Sequence, residues 1–196
     1  DVSYDYFLLY VSCDVVSTLR TDDNVMMKYE THKEFLPVES FKHIQDVITE
    51  QDFPWRRRNA MANDIDHHMY FTYCFYNSMN PVSELYQPLI IPILNQLNAV
   101  AAIQVRTNMF VSALFNKSHW HSDYLFKGHI GGHSKTAILY LNDCDGGTEL
   151  KINDTVTFIK AEANKMLIFD TDVLHRAISS KEQPIRYILN FNYFTE

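Results

Sequence analysis

His119-Trp120-His121-Ser122-Asp123, together with His175 far downstream, is the part of the sequence around which the rest of the chain is interpreted. Side chains of an extended segment alternate between two faces, so His121 and Asp123 lie on one face and converge on one point. A second imidazole from a neighbouring strand, His175, would complete a set of two histidines and one carboxylate. Such a facial triad holds a ferrous ion and leaves coordination positions open for other ligands.

Composition favours one globular domain over residues 1–196. The chain is 46% hydrophobic and 14% aromatic, which is enough for a core at this length. Its formal net charge of -7 gives no general indication of a nucleic-acid-binding surface. Three cysteines without Cys-x-x-Cys spacing argue against a disulfide framework or a structural zinc site. No apolar run is long enough to span a membrane, and we expect a soluble, cytoplasmic protein.

Helices are predicted only in the first half of the chain. Residues 3–12 form a dense aromatic and aliphatic run that is typical of a strand. Apolar residues at helical spacing predict a helix over 38–49. A second helical pattern covers 81–102, and we place its regular part after Pro92 because proline interrupts a helix interior.

Two charged clusters lie between the predicted helices. Arg56-Arg57-Arg58 is interpreted as a solvated loop, and the alternative is a cationic lip for an anionic substrate. Asp64, Asp66, His67 and His68 form a second cluster. We do not predict a metal site there, because adjacent histidines of an extended segment point to opposite faces.

The second half of the chain is a series of short strand-like segments. All five glycines fall between Gly128 and Gly147, which places a flexible loop directly after the predicted ligands. We therefore predict an α+β fold in which residues 103–196 form a double-stranded β-helix, or jelly roll, as the catalytic core. Helices of residues 1–102 would pack on one sheet as support. The predicted strands are 70–76, 105–114, 135–142, 148–152, 155–159, 165–169, 174–178 and 185–194.

A His-x-Asp pair alone is a weak signal, so its context matters. The segments that carry a resemblance are His121-Ser122-Asp123, 135–142, 145–150, 164–169, His175 and 186–191, with weaker matches at 53–55 and 106–108. This combination resembles the Fe(II)- and 2-oxoglutarate-dependent oxygenases, and within them the prolyl-hydroxylase-like group. The chain looks most similar to short members from marine bacteriophages and bacteria. The resemblance is close over the C-terminal half and looser over the N-terminal half.

The resemblance implies an oxidoreductase that uses Fe(II), 2-oxoglutarate and O2, with ascorbate as an optional reductant. Iron would bind to His121, Asp123 and His175. The distal carboxylate of 2-oxoglutarate would bind to Arg186, because a guanidinium forms a bidentate fork with a carboxylate and stays charged when buried.

Several further residues are candidates for the same site. Tyr140 matches the tyrosine whose hydroxyl also contacts the distal carboxylate in the resembled group, and Thr136 is a weaker candidate on the same predicted strand. Arg176 is expected to face away from the metal, and Arg106 is another alternative anchor.

The other polar residues near the predicted site are expected to lie in loops, in turns or on the surface. His119 is interpreted as a loop residue, and His129 and His133 as lid or surface residues. Asp143, Asp145 and Glu149 are expected in turns or on the surface, with Asp145-Gly146 as a natural turn.

Hydroxylation of a peptide or protein residue such as proline is the predicted activity. Hydroxylation of a nucleobase, a free amino acid or another small molecule is the alternative, because related sites serve many substrates. A nucleic-acid partner stays possible if Trp55 and Arg56–Arg58 line the mouth of the barrel. A non-catalytic, cupin-like metal-binding module is the alternative of another class. If the chain is viral, we expect it in the host cytoplasm.

Overall fold

The computed structural model describes residues 29–59, 69–114, 116–123 and 134–196. Three predictions lie outside the described residues: the strand over 3–12, the cluster from Asp64 to His68, and the roles of His129 and His133 in the glycine-rich loop. The described part is mostly β-sheet with few helices, and none of its helices is long and apolar enough to cross a membrane.

Eleven strands and two α-helices make up the described chain. The helices are α1 (Val38–Thr49) and α2 (Ile91–Gln96), and a π-helical turn (Tyr86–Ile90) leads into α2. The strands are β1 (Tyr29–His32), β2 (Arg56–Arg58), β3 (Tyr70–Asn77), β4 (Asn80–Pro81), β5 (Ala101–Val111), β6 (Ser134–Tyr140), β7 (Gly147–Ile152), β8 (Thr155–Lys160), β9 (Met166–Asp170), β10 (Leu174–Ile178) and β11 (Ile185–Phe194).

The first helix has the predicted bounds. Pro37 precedes it, and its fixed φ suits the entry to a helix. Phe41, Ile44 and Ile48 recur at helical spacing and are buried, whereas the residues between them are mostly exposed. Burial of this apolar stripe holds the helix on the body of the protein.

The second helix is shorter than predicted. It ends at Gln96, and Asn98 adopts a left-handed conformation with φ of 52°, which stops helical propagation. The chain then enters β5 at Ala101, so the prediction of helix up to residue 102 was wrong. The periodicity could not show this end, because apolar residues of the following strand continue the pattern.

All strand pairs are antiparallel and form two sheets. The large sheet has the order β1-β9-β6-β11-β5-β3-β2, with β4 paired to β3, and the small sheet has the order β10-β7-β8. Residues 117 and 121 form isolated bridges to β10, at Ile178 and His175 respectively. The segment before Asp123 therefore runs along the free edge of the small sheet.

The large sheet separates two buried clusters of side chains. Along β11, Leu189, Phe191 and Tyr193 belong to a cluster that also contains buried residues of α1 and α2. Ile188 belongs to the second cluster, on the other face, with Leu150 of the small sheet. We call this other face of the large sheet the inner face, because it faces the small sheet. Alternation along β11 also puts Arg186, Asn190 and Asn192 on the inner face.

The arginine run is not a loop, contrary to our interpretation. Arg56, Arg57 and Arg58 form β2, an exposed strand at the edge of the large sheet, paired with Thr72, Phe71 and Tyr70 respectively. The sequence did not show this, because the strand is short, charged and exposed on both faces. Charged side chains are typical of edge strands, where they oppose pairing with other chains.

Candidate metal centre

Two histidines that are distant in sequence form one rung of the small sheet. The backbone N–H of His121 donates to the carbonyl of His175 (3.0 Å), and the N–H of His175 donates to the carbonyl of His121 (2.8 Å). Their imidazole centroids are 4.4 Å apart. These two backbone hydrogen bonds place the two rings side by side.

Each imidazole has one nitrogen committed to the protein. Nδ1 of His121 lies 3.1 Å from the carbonyl of His119, and Nδ1 of His175 lies 3.1 Å from the carbonyl of Val173. A proton on Nδ1 that donates to these carbonyls leaves Nε2 as the basic nitrogen. Both Nε2 atoms are therefore suited to bind a metal.

The carboxylate of Asp123 completes the cluster and uses its two oxygens differently. Oδ1 lies 3.5 Å from Nε2 of His175 and 3.8 Å from Nε2 of His121. Oδ2 accepts hydrogen bonds from the side-chain amides of Asn190 and Asn192, each at 3.0 Å. The candidate ligand atoms of the three residues lie within 4.8 Å of one another. The two amides hold Oδ2 so that Oδ1 is presented to the histidines.

The protonation states suit a cation site. Burial alone would raise the pKa of Asp123, but His175, Arg106 and the Asn190 amide outweigh it and hold that pKa well below its usual range. Burial lowers the pKa of His121, and the neighbouring His175 lowers it further, against the opposing effect of Asp123. The cluster therefore offers a carboxylate and a neutral imidazole, which are the forms that bind metals.

Arg186 lies on the inner face, eight residues after the end of β10 and four residues before Asn190. Its side chain stacks over Phe110 at 4.5 Å from the ring centroid, and the residue is 1% exposed. None of its three guanidinium nitrogens has a hydrogen-bond partner among the described residues. Burial lowers the pKa of Arg186, but an arginine stays charged even so. An unpaired buried cation is costly unless an anion joins it.

Tyr140 and Thr148 form a hydrogen-bonded pair near this guanidinium. The Tyr140 hydroxyl donates to Oγ1 of Thr148 at 2.9 Å, and burial raises the pKa of Tyr140 to about 12. Thr148 lines the same cavity as Arg186. Because Thr148 accepts the proton of Tyr140, its own hydroxyl proton is available to a ligand in the cavity.

Thr136 lies beside Asp123 and Asn192. Its hydroxyl accepts a hydrogen bond from Asn192 at 3.0 Å and lies 3.5 Å from Oδ2 of Asp123. It is four residues from Tyr140 along β6, a separation of about 13 Å in a strand. Thr136 therefore supports the carboxylate of Asp123 in this structure.

The alternative anchors have other partners. Arg176 is bound to Glu149, with Nε and Nη2 each 2.6 Å from Oε2, and it stacks over Trp120. Arg106 lines the cavity, with Nη2 3.6 Å from Oδ1 of Asp123. His119 is exposed, as expected for a loop residue.

Of the predicted surface carboxylates, Asp145 behaves as a turn residue. It accepts hydrogen bonds from Ser180 and from the backbone N–H groups of Lys181 and Glu182, and these lower its pKa to about 2. Glu149 is less exposed than expected, because Arg176 and Lys117 both bind it.

The triad, Arg106, Arg186 and Thr148 line one cavity that opens to solvent. Residues 109–194 match the sequence model of the 2OG-Fe(II) oxygenase superfamily. Over these residues the chain is similar to that superfamily. The predicted resemblance is thereby confirmed, and the protein is an oxygenase of the class that uses Fe(II), 2-oxoglutarate and O2.

Solved structures of this superfamily share the fold. A prolyl-4-hydroxylase from Pseudomonas putida is 12% identical with a TM-score of 0.59, and the match covers 86% of this chain and 93% of that one. A 2OG-Fe(II) oxygenase family protein from Burkholderia pseudomallei is 10% identical with a TM-score of 0.66, with 85% of each chain covered. A prolyl hydroxylase from Trichoplax adhaerens, in complex with a fragment of the hypoxia inducible factor oxygen degradation domain, is 13% identical with a TM-score of 0.59, covering 85% and 83%. The two sheets thus form a jelly roll. No curated protein sequence matches the chain.

Sequence reasoning missed the two amides beside Asp123. Asn190 and Asn192 are separated from Arg186 by even numbers of residues on one strand, so alternation places all three on one face. Two amides on a face that also carries a buried arginine were a usable signal. Thr148 offered no comparable signal, because its role depends on the strand that lies opposite.

Proposed function

We propose that this oxygenase is a hydroxylase in which His121, Asp123 and His175 hold Fe(II) and Arg186 holds the distal carboxylate of 2-oxoglutarate. The observation that carries the proposal is the unpaired guanidinium of Arg186, buried in the same cavity as the triad. A dicarboxylate would supply the missing anion at one end and metal ligands at the other.

The donor set fits ferrous iron. Two imidazole nitrogens and one carboxylate oxygen on one side of an ion are typical of non-haem Fe(II) oxygenases. The amides of Asn190 and Asn192 engage Oδ2 of Asp123, which favours coordination through Oδ1 alone. One oxygen from Asp123 leaves more positions for the cosubstrates than two would.

The chain itself has to bind and orient the cosubstrate and to exclude water from the site. Bound iron, with 2-oxoglutarate and O2, supplies the oxidising chemistry of the reaction. Arg186 orients the cosubstrate through its planar fork of N–H donors. Thr148 adds a hydroxyl donor, and Tyr140 orients that hydroxyl by donating to its oxygen. The buried ring of Phe110 keeps water from one face of the guanidinium.

We further propose a peptide or protein residue, such as proline, as the substrate. The shared fold with prolyl hydroxylases, one of them bound to a peptide fragment, supports this class. A nucleobase or a small molecule is the alternative substrate. A screen of peptides, nucleobases and small molecules for succinate release distinguishes these classes.

The domain organisation is part of the same proposal. Residues 1–196 would form one oxygenase domain, in which 103–196 are the catalytic core and 1–102 its support. One buried cluster contains Ile44 and Ile48 of α1 together with Leu139 and Leu189 of the large sheet, which supports a single domain.

An anaerobic titration tests the proposal directly. Fe(II) followed by 2-oxoglutarate should give the visible charge-transfer band of the chelated complex, and succinate release should follow when O2 and a substrate are supplied. His175→Ala is the matched control and should give no band. A folded wild-type protein without the band would contradict the proposal and favour a metal-binding module without turnover.

A further inference from the structure

The arginines of the edge strand alternate between the two faces of the large sheet. Arg58 pairs with Tyr70 and Arg56 pairs with Thr72, and directly opposed residues of an antiparallel pair share a face. Tyr70 lines the cavity. Arg56 and Arg58 therefore lie on the inner face, whereas Arg57, opposite Phe71, lies on the other face.

The Cys74 thiol is an independent marker of where these cations lie. Burial raises its pKa, and the opposing contributions come from the backbone of Tyr76 and then from Arg106, Arg58 and Arg56. Cys74 is paired with Arg106 across β3 and β5. Arg57, which lies on the opposite face, is not among these main contributions.

Together Arg58, Arg56 and Arg106 form a row of positive charge on the inner face, which we call the arginine row. Its outer members are exposed at the sheet edge, and its inner member reaches Asp123. The described residues include no ion-pair partner for Arg56 or Arg58. The formal net charge of the whole chain is -7, so this row is opposite in sign to the net charge of the chain.

The length of the row suggests what it binds. Two strand spacings separate β2 from β5, which is about 10 Å. A small anion at the metal cannot also reach Arg56 and Arg58, whereas about three residues of extended peptide cover that distance. Side chains on such a peptide could meet the outer arginines while another residue lies at the metal.

The aromatic residues argue against nucleic acid. Tyr70 and Phe110 on the inner face are buried and stacked on each other at 5.8 Å, so their faces are not free for bases. Trp55 packs against Phe53 and Tyr187, in the cluster on the opposite face. The net charge also repels a long polyanion more than it repels a peptide with a few carboxylates.

We infer that the substrate is an acidic peptide whose carboxylates bind Arg56 and Arg58 about three residues from the hydroxylated position. This inference rests on the proposed function and adds the charge of the substrate to it. Charged groups at the rim of a binding site chiefly affect association and specificity, so ionic strength should modulate the interaction.

Fluorescence anisotropy with two labelled peptides tests the inference on the anaerobic complex with Fe(II) and 2-oxoglutarate. One peptide alternates proline and glutamate, and the other alternates proline and glutamine. We expect the glutamate peptide to bind about 10-fold more tightly at low ionic strength, with a smaller preference at physiological ionic strength. The double variant Arg56→Gln/Arg58→Gln should reduce the preference about 5-fold, and Arg57→Gln should leave it within about 2-fold.

Each other outcome overturns the inference. Equal binding of the two peptides, or an equal loss in Arg57→Gln, would mean that the arginine row does not select acidic peptides. Tighter binding of oligothymidylate than of the glutamate peptide would assign the row to nucleic acid. The charge-transfer band is read in the same samples: its absence refutes the proposed function, whereas its presence with indifferent peptide binding refutes only the acidic substrate.

Discussion

Arg176 and Arg186 are two arginines, ten positions apart, that each stack on an aromatic ring but differ in their partners. Arg176 lies over Trp120, and Glu149 accepts hydrogen bonds from its Nε and Nη2. Arg186 lies over Phe110, and no carboxylate among the described residues binds it. Arg186 is more deeply buried than Arg176, although it is the one without a carboxylate partner among the described residues.

We interpret the difference as that between a structural arginine, Arg176, and the arginine that we propose binds the cosubstrate, Arg186. A chain that provides its own carboxylate gains stability from the pair but leaves no group for a ligand. A chain that buries a guanidinium alone loses stability, and a ligand carboxylate recovers that loss on binding. Arginine content alone therefore says little, and the missing partner is what indicates function.

The largest effect is expected from Arg186→Leu. Removal of one member of a buried charge pair costs about 2–5 kcal/mol of binding, so 2-oxoglutarate affinity should fall on the order of 100-fold. The melting temperature of the apoprotein should stay the same or rise, because a buried unpaired charge has been removed. Calorimetric titration of 2-oxoglutarate and thermal unfolding measure the two quantities. A large loss of apoprotein stability with unchanged affinity would reverse the roles of the two arginines.

Arg176→Leu should show the opposite pattern. Loss of the charged hydrogen bonds to Glu149 should cost about 1–2 kcal/mol, which lowers the melting temperature by about 2–6 °C. Affinity for 2-oxoglutarate should change less than about 2-fold. Glu149→Leu in the Arg176→Leu background should add little, because the two residues act as a unit. Independent, additive losses would contradict that coupling.

The stability difference between wild type and Arg176→Leu should depend on pH. Burial alone would raise the pKa of Glu149, but Arg176 and Lys117 outweigh it and lower that pKa below the usual 4.5. A depressed carboxyl pKa stabilises the fold above the unfolded value, and this stabilisation is lost as pH falls through the folded value. The difference in melting temperature should therefore be full at neutral pH and should narrow below about pH 4.5. A difference that does not change with pH would mean that packing on Trp120, and not the charge pair, accounts for it.

The smallest effects are expected at Thr148 and Tyr140, which lie near Arg186 in the proposed cosubstrate site. Thr148→Val keeps the shape but removes the hydroxyl, so 2-oxoglutarate affinity should fall about 5-fold, as for one hydrogen bond. Tyr140→Phe removes only the group that orients this hydroxyl and should cost about 2-fold. The same calorimetric titration gives the affinities that rank Arg186→Leu, Thr148→Val and Tyr140→Phe. If Tyr140→Phe costs more than Thr148→Val, Tyr140 contacts the cosubstrate itself.

Most of the local structure could be predicted from the sequence, because it depends on periodicity. The bounds of α1, β10 and β11 agree with the predicted ranges, and the spacing of His121 and Asp123 placed both on one side. Arg186 was assigned through the family resemblance, from its position on the last strand. These features follow from periodicities of 3.6 or 2 residues or from short motifs. Each can therefore be recognised within a single segment of the sequence.

The contacts between strands could not be predicted in the same way. Alternation places Asn190 and Asn192 on a face but does not show that Asp123 lies against them, because that depends on which strands become neighbours and in what register. The partnership of Arg176 with Glu149 has the same origin, since β10 and β7 pair only in the folded sheet. Arg56–Arg58 became a strand because β3 offered a free edge.

The pair of backbone hydrogen bonds between His121 and His175 has a consequence for iron binding at the proposed site. Two reciprocal hydrogen bonds already close the long loop between these residues, so the entropy of bringing the two imidazoles together is spent in folding. Binding of the ion therefore does not have to offset this loss of entropy. The apoprotein should therefore keep its imidazoles at the spacing of the loaded enzyme, and iron should dissociate and return without refolding of the site.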